Sequence, residues 1–364
     1  MATPRFSMIQ GSHVMPAPTT SRSYEARTGS RWSVTCAVTG AVLWLVGPFV
    51  PAGSPPSFGS IEHIFVFMPL VIAPLALLLL SVLLKSGDPS NAGFHRSARR
   101  AQPVAAVMVL ASFFFPNGTL AGALTAGWLV VAVMIAVGGA RRATLVLGGH
   151  RAKVSLLAAH LFLPVGAMWL LLSRLGVAPR DLTALTVFLA ALHFHFSGFT
   201  LQILIAAVGL QLPARPSWLA VLHRRLVIGA VAGIPIIAAG NIGHSPLLKF
   251  LGVSTMVAST IALAITSAAV AWSVPGPAGR RMLLASAASI AVGMVLAAVY
   301  GVGELSGRAW IGIPRMVAIH GLLNAFGFTL CGLLGHLRLR LADGASQVST
   351  PPPVSPLADG RRSW

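Results

Sequence analysis

From Arg31 onward the chain alternates between apolar stretches of about twenty residues and short segments rich in Arg, Lys, Gly and Pro. A helix rises about 1.5 Å per residue, so about 20 apolar residues cross a hydrocarbon core about 30 Å thick. The pattern predicts ten transmembrane helices, over 33–52, 61–84, 101–116, 119–138, 154–173, 182–209, 222–240, 247–272, 282–303 and 314–336. The third is short, and "FFFPNGT" (Phe113 to Thr119) reads as a tight turn into the fourth. Pro74, Pro164 and Pro235 fall inside predicted spans and are expected to kink them. Such breaks are tolerated where neighbouring helices serve the freed carbonyl. The fold class is all-α, a polytopic transmembrane helix bundle over 33–338. The flanking stretches 1–32 and 339–364 are rich in Ser, Thr, Pro and Arg and read as disordered tails. The first 30 residues hold no apolar core segment, so the first span is expected to direct insertion itself.

Composition supports this reading. Hydrophobic residues make up 55% of the chain and charged residues 9%, against about 25% charge in a soluble domain. The formal net charge is +19, which in another setting would suggest nucleic acid. Here the basic residues lie in short loops between spans, where they set topology and face anionic lipid. The partner implied is the lipid bilayer, not nucleic acid. With the N-terminus cytoplasmic, one side collects most of the basic residues, and the other holds only Arg174, Arg180, Lys249, Arg308 and Arg315. The positive-inside rule then puts both termini in the cytoplasm, as expected of a multi-pass protein of the plasma membrane. Cys36 and Cys331 each sit in a predicted span, without metal-site spacing, and read as small packing residues.

Ionisable groups in the hydrocarbon cost about 3 kcal/mol on insertion scales and are functional candidates by default. "LHFHFSGFTLQ" (Leu192 to Gln202) puts His193 and His195 about halfway along the sixth span, with Gln202 further in. His320 lies about 9 Å down the tenth span, and Asn324 shares its face at i+4. His160 lies on the cytoplasmic side of the fifth. Glu62, His63, Asn241, His244, Glu304, Arg308 and Arg315 gather at the outer ends. The expectation is a polar vestibule opening outward above a cluster of His193, His195, His320 and Asn324, with Glu62 at its rim. His63, Asn241, Glu304 and Arg315 are secondary candidates at that mouth. The alternative is that each polar residue meets an interface or a backbone carbonyl.

Residues i and i+2 of a helix point roughly 200° apart. His193 and His195 therefore address two different neighbours, and cannot share a metal unless the helix breaks. No zinc or carboxylate-rich metal pattern is present, and no metal is assigned. One or two histidines suffice for haem, so the cofactor question stays open.

Three stretches carry a resemblance. "HFHFSGF" (His193 to Phe199), "IHGLLNAFGFTLCGLLG" (Ile319 to Gly335) and "IEHIFVFMPLVIAPLALLL" (Ile61 to Leu79) resemble signature segments of YndJ-like bacterial membrane proteins. Phe196 and Ser197 depart mildly from the Tyr and Ala expected there. The resemblance implies a polytopic membrane protein and brings no activity with it. It carries over Glu62, His193, His195, His320 and Asn324. Gly198, Gly321 and Gly327 would allow close helix approach, so the sixth and tenth spans are expected to touch. Three functions remain open: an enzyme or haem/redox protein acting on a lipid-soluble substrate, a proton-coupled transporter, and a scaffold in which histidines join helices. The charge distribution makes a separate prediction. Reporter fusions at either end should be active only in the cytoplasm, and an active periplasmic fusion at one end would require an odd number of crossings.

Overall fold

The structure, a computed structural model, describes residues 21–49, 59–84, 92–146, 150–212, 217–274, 276–308 and 310–348; at 21–29, 140–146, 150–151 and 341–348 only the backbone is described. All regular structure among these residues is helical. Ten rods follow one another: α1 (Ser21–Val46), α2 (Ser60–Leu83), α3 (Ala92–Ser112), α4 (Thr119–Val146), α5 (His150–Leu175), α6 (Ala184–Gly209), α7 (Trp218–Ile242), α8 (Pro246–Trp272), α9 (Pro277–Leu305) and α10 (313–348). Nine of the described helices are long and apolar enough to cross a membrane. The exception is α3, the short third span, whose first half carries Arg96, Arg99, Arg100 and Gln102. The expected disordered tails lie largely outside the described residues; 21–32 is part of α1 and 339–348 part of α10.

Successive helices run antiparallel, and small residues set their register. Gly233 of α7 meets Met256 of α8, and Gly240 meets Lys249. On α9 and α10 the seam runs Leu283 to Gly335, Ser286 to Gly332, Ser289 to Gly327 and Gly293 to His320. In lipid there is no hydrophobic force between helices, so close backbone approach and interhelical hydrogen bonds must hold them. Ser286 supplies one such bond, its Oγ donating to the Phe328 carbonyl at 2.8 Å.

Two helices are central. Of the apolar window of α2, 89% is buried within the protein, and of α6, 72%, against half or less for the others. Together with α10 they make the heart of the bundle, and each is wound as a π-helix near mid-height: Met68–Ile72 in α2, Phe194–Thr200 in α6, and Val317–Gly321 and Leu323–Leu330 in α10. The π segments of α2, α6 and α10 touch one another, so the expected contact between the sixth and tenth spans is made there. π turns are rare and concentrate at functional sites. All three family-like stretches of sequence fall on them.

A change of winding, or a proline, frees backbone carbonyls, and in hydrocarbon each must be served by the protein. Pro74 has no N–H for Leu70 at i−4 or Pro69 at i−5. The Pro69 carbonyl instead accepts the Nε2–H of buried Gln102 at 2.6 Å. The Leu70 carbonyl packs on Gly40 of α1, where any side chain would collide with it. The helices α5 and α7 continue through Pro164 and Pro235. Gln102→Leu should therefore destabilise the protein by about 1–3 kcal/mol, the cost of an orphaned buried acceptor. Reversible unfolding in mixed micelles measures this, and an unchanged midpoint would mean another donor serves Pro69.

Candidate functional site

Four intramembrane histidines, His160, His193, His195 and His320, share one feature. Each donates a ring N–H to a backbone carbonyl. Nδ1 of His193 bonds the Leu189 carbonyl at 2.7 Å, that of His195 the Ala191 carbonyl at 2.7 Å, and that of His320 the Gly293 carbonyl of α9 at 2.8 Å. His160 bonds the Leu156 carbonyl in the same way. Because a carbonyl only accepts, Nδ1 carries the proton in each neutral ring, and Nε2 is left as an acceptor. Leu189 and Ala191 lie just before the α-to-π junction of α6, where the backbone ladder changes step. In each case the imidazole adds a second donor to a helix carbonyl and keeps its own N–H satisfied.

His195 is fully buried on the side of α6 that faces α4 and α5. Its Nε2 accepts the indole N–H of Trp128 at 2.8 Å. Its ring meets Phe65 of α2 edge-on at 5.3 Å. It lies against Gly166 of α5, where an added methyl would come 2.8 Å from Nδ1. One side chain therefore joins α2, α4, α5 and α6, and both its nitrogens are engaged.

His320 and Asn324 form a second unit. Asn324 Nδ2–H donates to His320 Nε2 at 2.8 Å, which again engages both ring nitrogens. Asn324 Oδ1 is buried and makes no hydrogen bond. It faces the Cα of Gly293, where an added methyl would stand 3.2 Å away, so a weak Cα–H contact is what serves it.

His193 points the other way from His195, as the 200° offset requires. It is exposed, and it lies within electrostatic reach of His320. Its Nε2 takes no donor from the protein. Above it on α6, Thr183 is exposed and Thr186 half-buried, with half-buried Ser197 below. In this part of α6 the packing is against α5, with Phe188 against Phe65 of α2 and Phe113, while α10 meets α6 at the π segment.

The five-residue cluster expected from sequence thus divides. His320 and Asn324 pair, with His193 within electrostatic reach of His320; His195 is turned to Trp128. Glu62 belongs to neither group. It caps α2, its Oε2 accepting the Gly59 N–H at 2.9 Å, within electrostatic reach of Arg174. Arg174 is buried, donates to the Ser112 and Phe115 carbonyls at 2.7 and 2.8 Å, and lies over the Phe113 ring. His63 stacks on Trp44 at 4.2 Å. The remaining mouth residues sit elsewhere. Glu304 pairs with Lys249 at 2.8 Å, Asn241 bonds the Ile237 carbonyl of its own helix, and His244 follows α7 in the left-handed region at φ 49°. Arg308 and Arg315 are exposed on either side of the α9–α10 connection.

Among the described residues no three His, Cys, Asp or Glu are grouped to hold a metal. Axial haem ligation by His195 and His320 would break the bonds to Trp128 and Asn324. Trp128 and Gly293 were not foreseen. A tryptophan amid aliphatic residues at mid-span was the available signal for the first, because a buried indole N–H needs an acceptor.

A bundle of antiparallel helices, nine of the described ones long and apolar enough to cross a membrane, is an integral membrane protein. The chain belongs to the YndJ-like protein family, whose model matches residues 63–328. It is 25% identical over 190 residues to the "Uncharacterized membrane protein YndJ" of Bacillus subtilis (strain 168), a match that takes in 51% of this chain and 33% of that protein. No solved structure matches. The Trp128–His195 bond gives a direct test. Trp128→Phe should cost about 1–3 kcal/mol, and in a double-mutant cycle with His195→Phe the two losses should fall well short of additive. Additive losses would mean the two rings are not coupled.

Proposed function

We propose that this chain lies in the plasma membrane with both ends cytoplasmic. It receives, from the outer leaflet, a lipid-soluble molecule that carries a hydroxyl or similar hydrogen-bond donor. The observation that carries this reading is His193, an exposed imidazole at mid-membrane depth whose Nδ1–H is committed to Leu189 and whose Nε2 accepts nothing from the protein. A free acceptor in hydrocarbon selects a donor, and the gain is large there because water does not compete. The cleft expected from sequence is narrowed by this reading to the space between the outer half of α6 and α10. Its floor is the meeting of their π segments, with His320 and Asn324 in the wall. Glu62, His63, Asn241, Glu304 and Arg315 stand at the rim or beyond it rather than in the site.

A neutral imidazole accepting from a hydroxyl is also the arrangement of a general base, so an enzyme acting on a lipid-soluble substrate fits the same geometry. His195 then holds the framework. A photoactivatable long-chain alcohol should label peptides of α6 and α10. Its methyl ether, which lacks the donor, should label them about tenfold less, in line with the loss of one buried hydrogen bond. His193→Phe should erase the preference. Equal labelling by alcohol and ether, or a preference that survives His193→Phe, would sink the proposal.

A further inference from the structure

Over most of its length α6 is buried on all sides, with two exceptions. From His193 to Val208, only His193 and Ser197 reach the surface of the protein. The rest of the π segment is buried: Phe194, His195, Phe196, Gly198, Phe199 and Thr200. Both exceptions are polar. Elsewhere the positions that the spans expose at mid-length are apolar, as at Val130, Leu161, Ile228 and Val292.

His193 and Ser197 stand four residues apart, about one helical turn, so they share a face. The Ser197 hydroxyl makes no hydrogen bond among the described residues. Other hydroxyls in the bundle are spent on their own helices. Thr200 donates to the His195 carbonyl at 3.2 Å, and Thr125, Ser259, Thr260 and Thr266 donate to carbonyls four residues earlier. The one open face of this central helix therefore presents an acceptor, His193 Nε2, and below it a hydroxyl that can donate.

Two details define what such a pair receives. The His193 ring is turned back towards Leu189, away from Ser197, and the Cβ atoms of residues four apart on a helix are about 5–6 Å apart. Two neighbouring polar atoms of a ligand span this offset better than one. No Lys, Arg, Asp or Glu lies between Val187 and Val208, so α6 offers no charge to offset a charged group here.

We infer that Ser197 is a second binding residue of the His193 cleft, and that the ligand's head group is uncharged with a donor and an acceptor on neighbouring atoms, the pattern of a carboxamide. The head group donates to His193 Nε2 and accepts from the Ser197 hydroxyl. This rests on the cleft proposed above and narrows its ligand, because a simple alcohol that serves His193 leaves Ser197 unserved.

Three photoactivatable probes on one long chain test this with the full protein in phosphatidylcholine vesicles: a primary amide, an alcohol and the alcohol's methyl ether. In the wild type the amide should label α6 about fivefold more than the alcohol, the effect of one added hydrogen bond. Ser197→Ala should bring the amide down to the alcohol's level and leave the alcohol's advantage over the ether intact. Ser197→Thr, which restores a hydroxyl, should keep the amide's advantage. An amide no better than the alcohol in the wild type, or an amide preference that survives Ser197→Ala, would overturn the inference and leave the His193 reading standing. Equal labelling by alcohol and ether in the wild type would instead sink the cleft itself, and this inference with it.

Discussion

Inside a bilayer, a backbone carbonyl that leaves the helical ladder has only the protein to turn to. Much of this structure follows from that constraint. The three helices at its heart change from α to π winding where they meet. Gln102 answers for Pro69, and Gly40 accommodates Leu70. His193 and His195 donate to carbonyls just before the junction in their own helix, which satisfies their own ring N–H groups in hydrocarbon. The costly histidines of the sixth span are there first because an imidazole can donate to a carbonyl and still offer an acceptor on its far side.

That second nitrogen is where the histidines differ. Trp128 occupies it in His195, and Asn324 in His320. In each case the result is a fully engaged neutral ring that fixes one helix against others. His193 and His160 retain the acceptor, one in an exposed position and one sealed in the interior. Identical local chemistry thus ends in an acceptor filled by the protein at two positions and in one without a protein donor at the other two. The division is made by neighbouring helices, not by the histidines' own sequence context.

This explains how far the sequence could be read. Helix number and class followed from apolar run length, because hydrocarbon thickness sets a minimum that is hard to mimic; only α3 fell short, owing to the basic residues in its first half. The opposed directions of His193 and His195 followed from helical geometry and survive the π winding. The winding itself was not legible. Pro69 and Pro74 in α2 hinted at disruption, but "HFHFSGF" contains no proline and no other local mark of a π turn. Nor could the partners be read. Trp128, Gly166 and Gly293 lie on other helices, and their pairing depends on a register that only packing fixes. Glu62 was misleading for a physical reason: an acidic residue three positions after Gly59 is what a helix start requires.

The seam between α9 and α10 bears on how such a molecule can move. Leu283 on Gly335, Ser286 on Gly332, Ser289 on Gly327 and Gly293 beneath His320 interlock at four levels. Sliding α10 by one turn would drive side chains into backbone at every level, so these two helices act as a single strut with no piston stroke. The N-terminal half of α6 packs on α5 and sets Phe188 against Phe65 of α2 and Phe113. The face of α10 that carries His320 and Asn324 is fixed to α9 by that seam, and any relative movement at this level falls to its other neighbours.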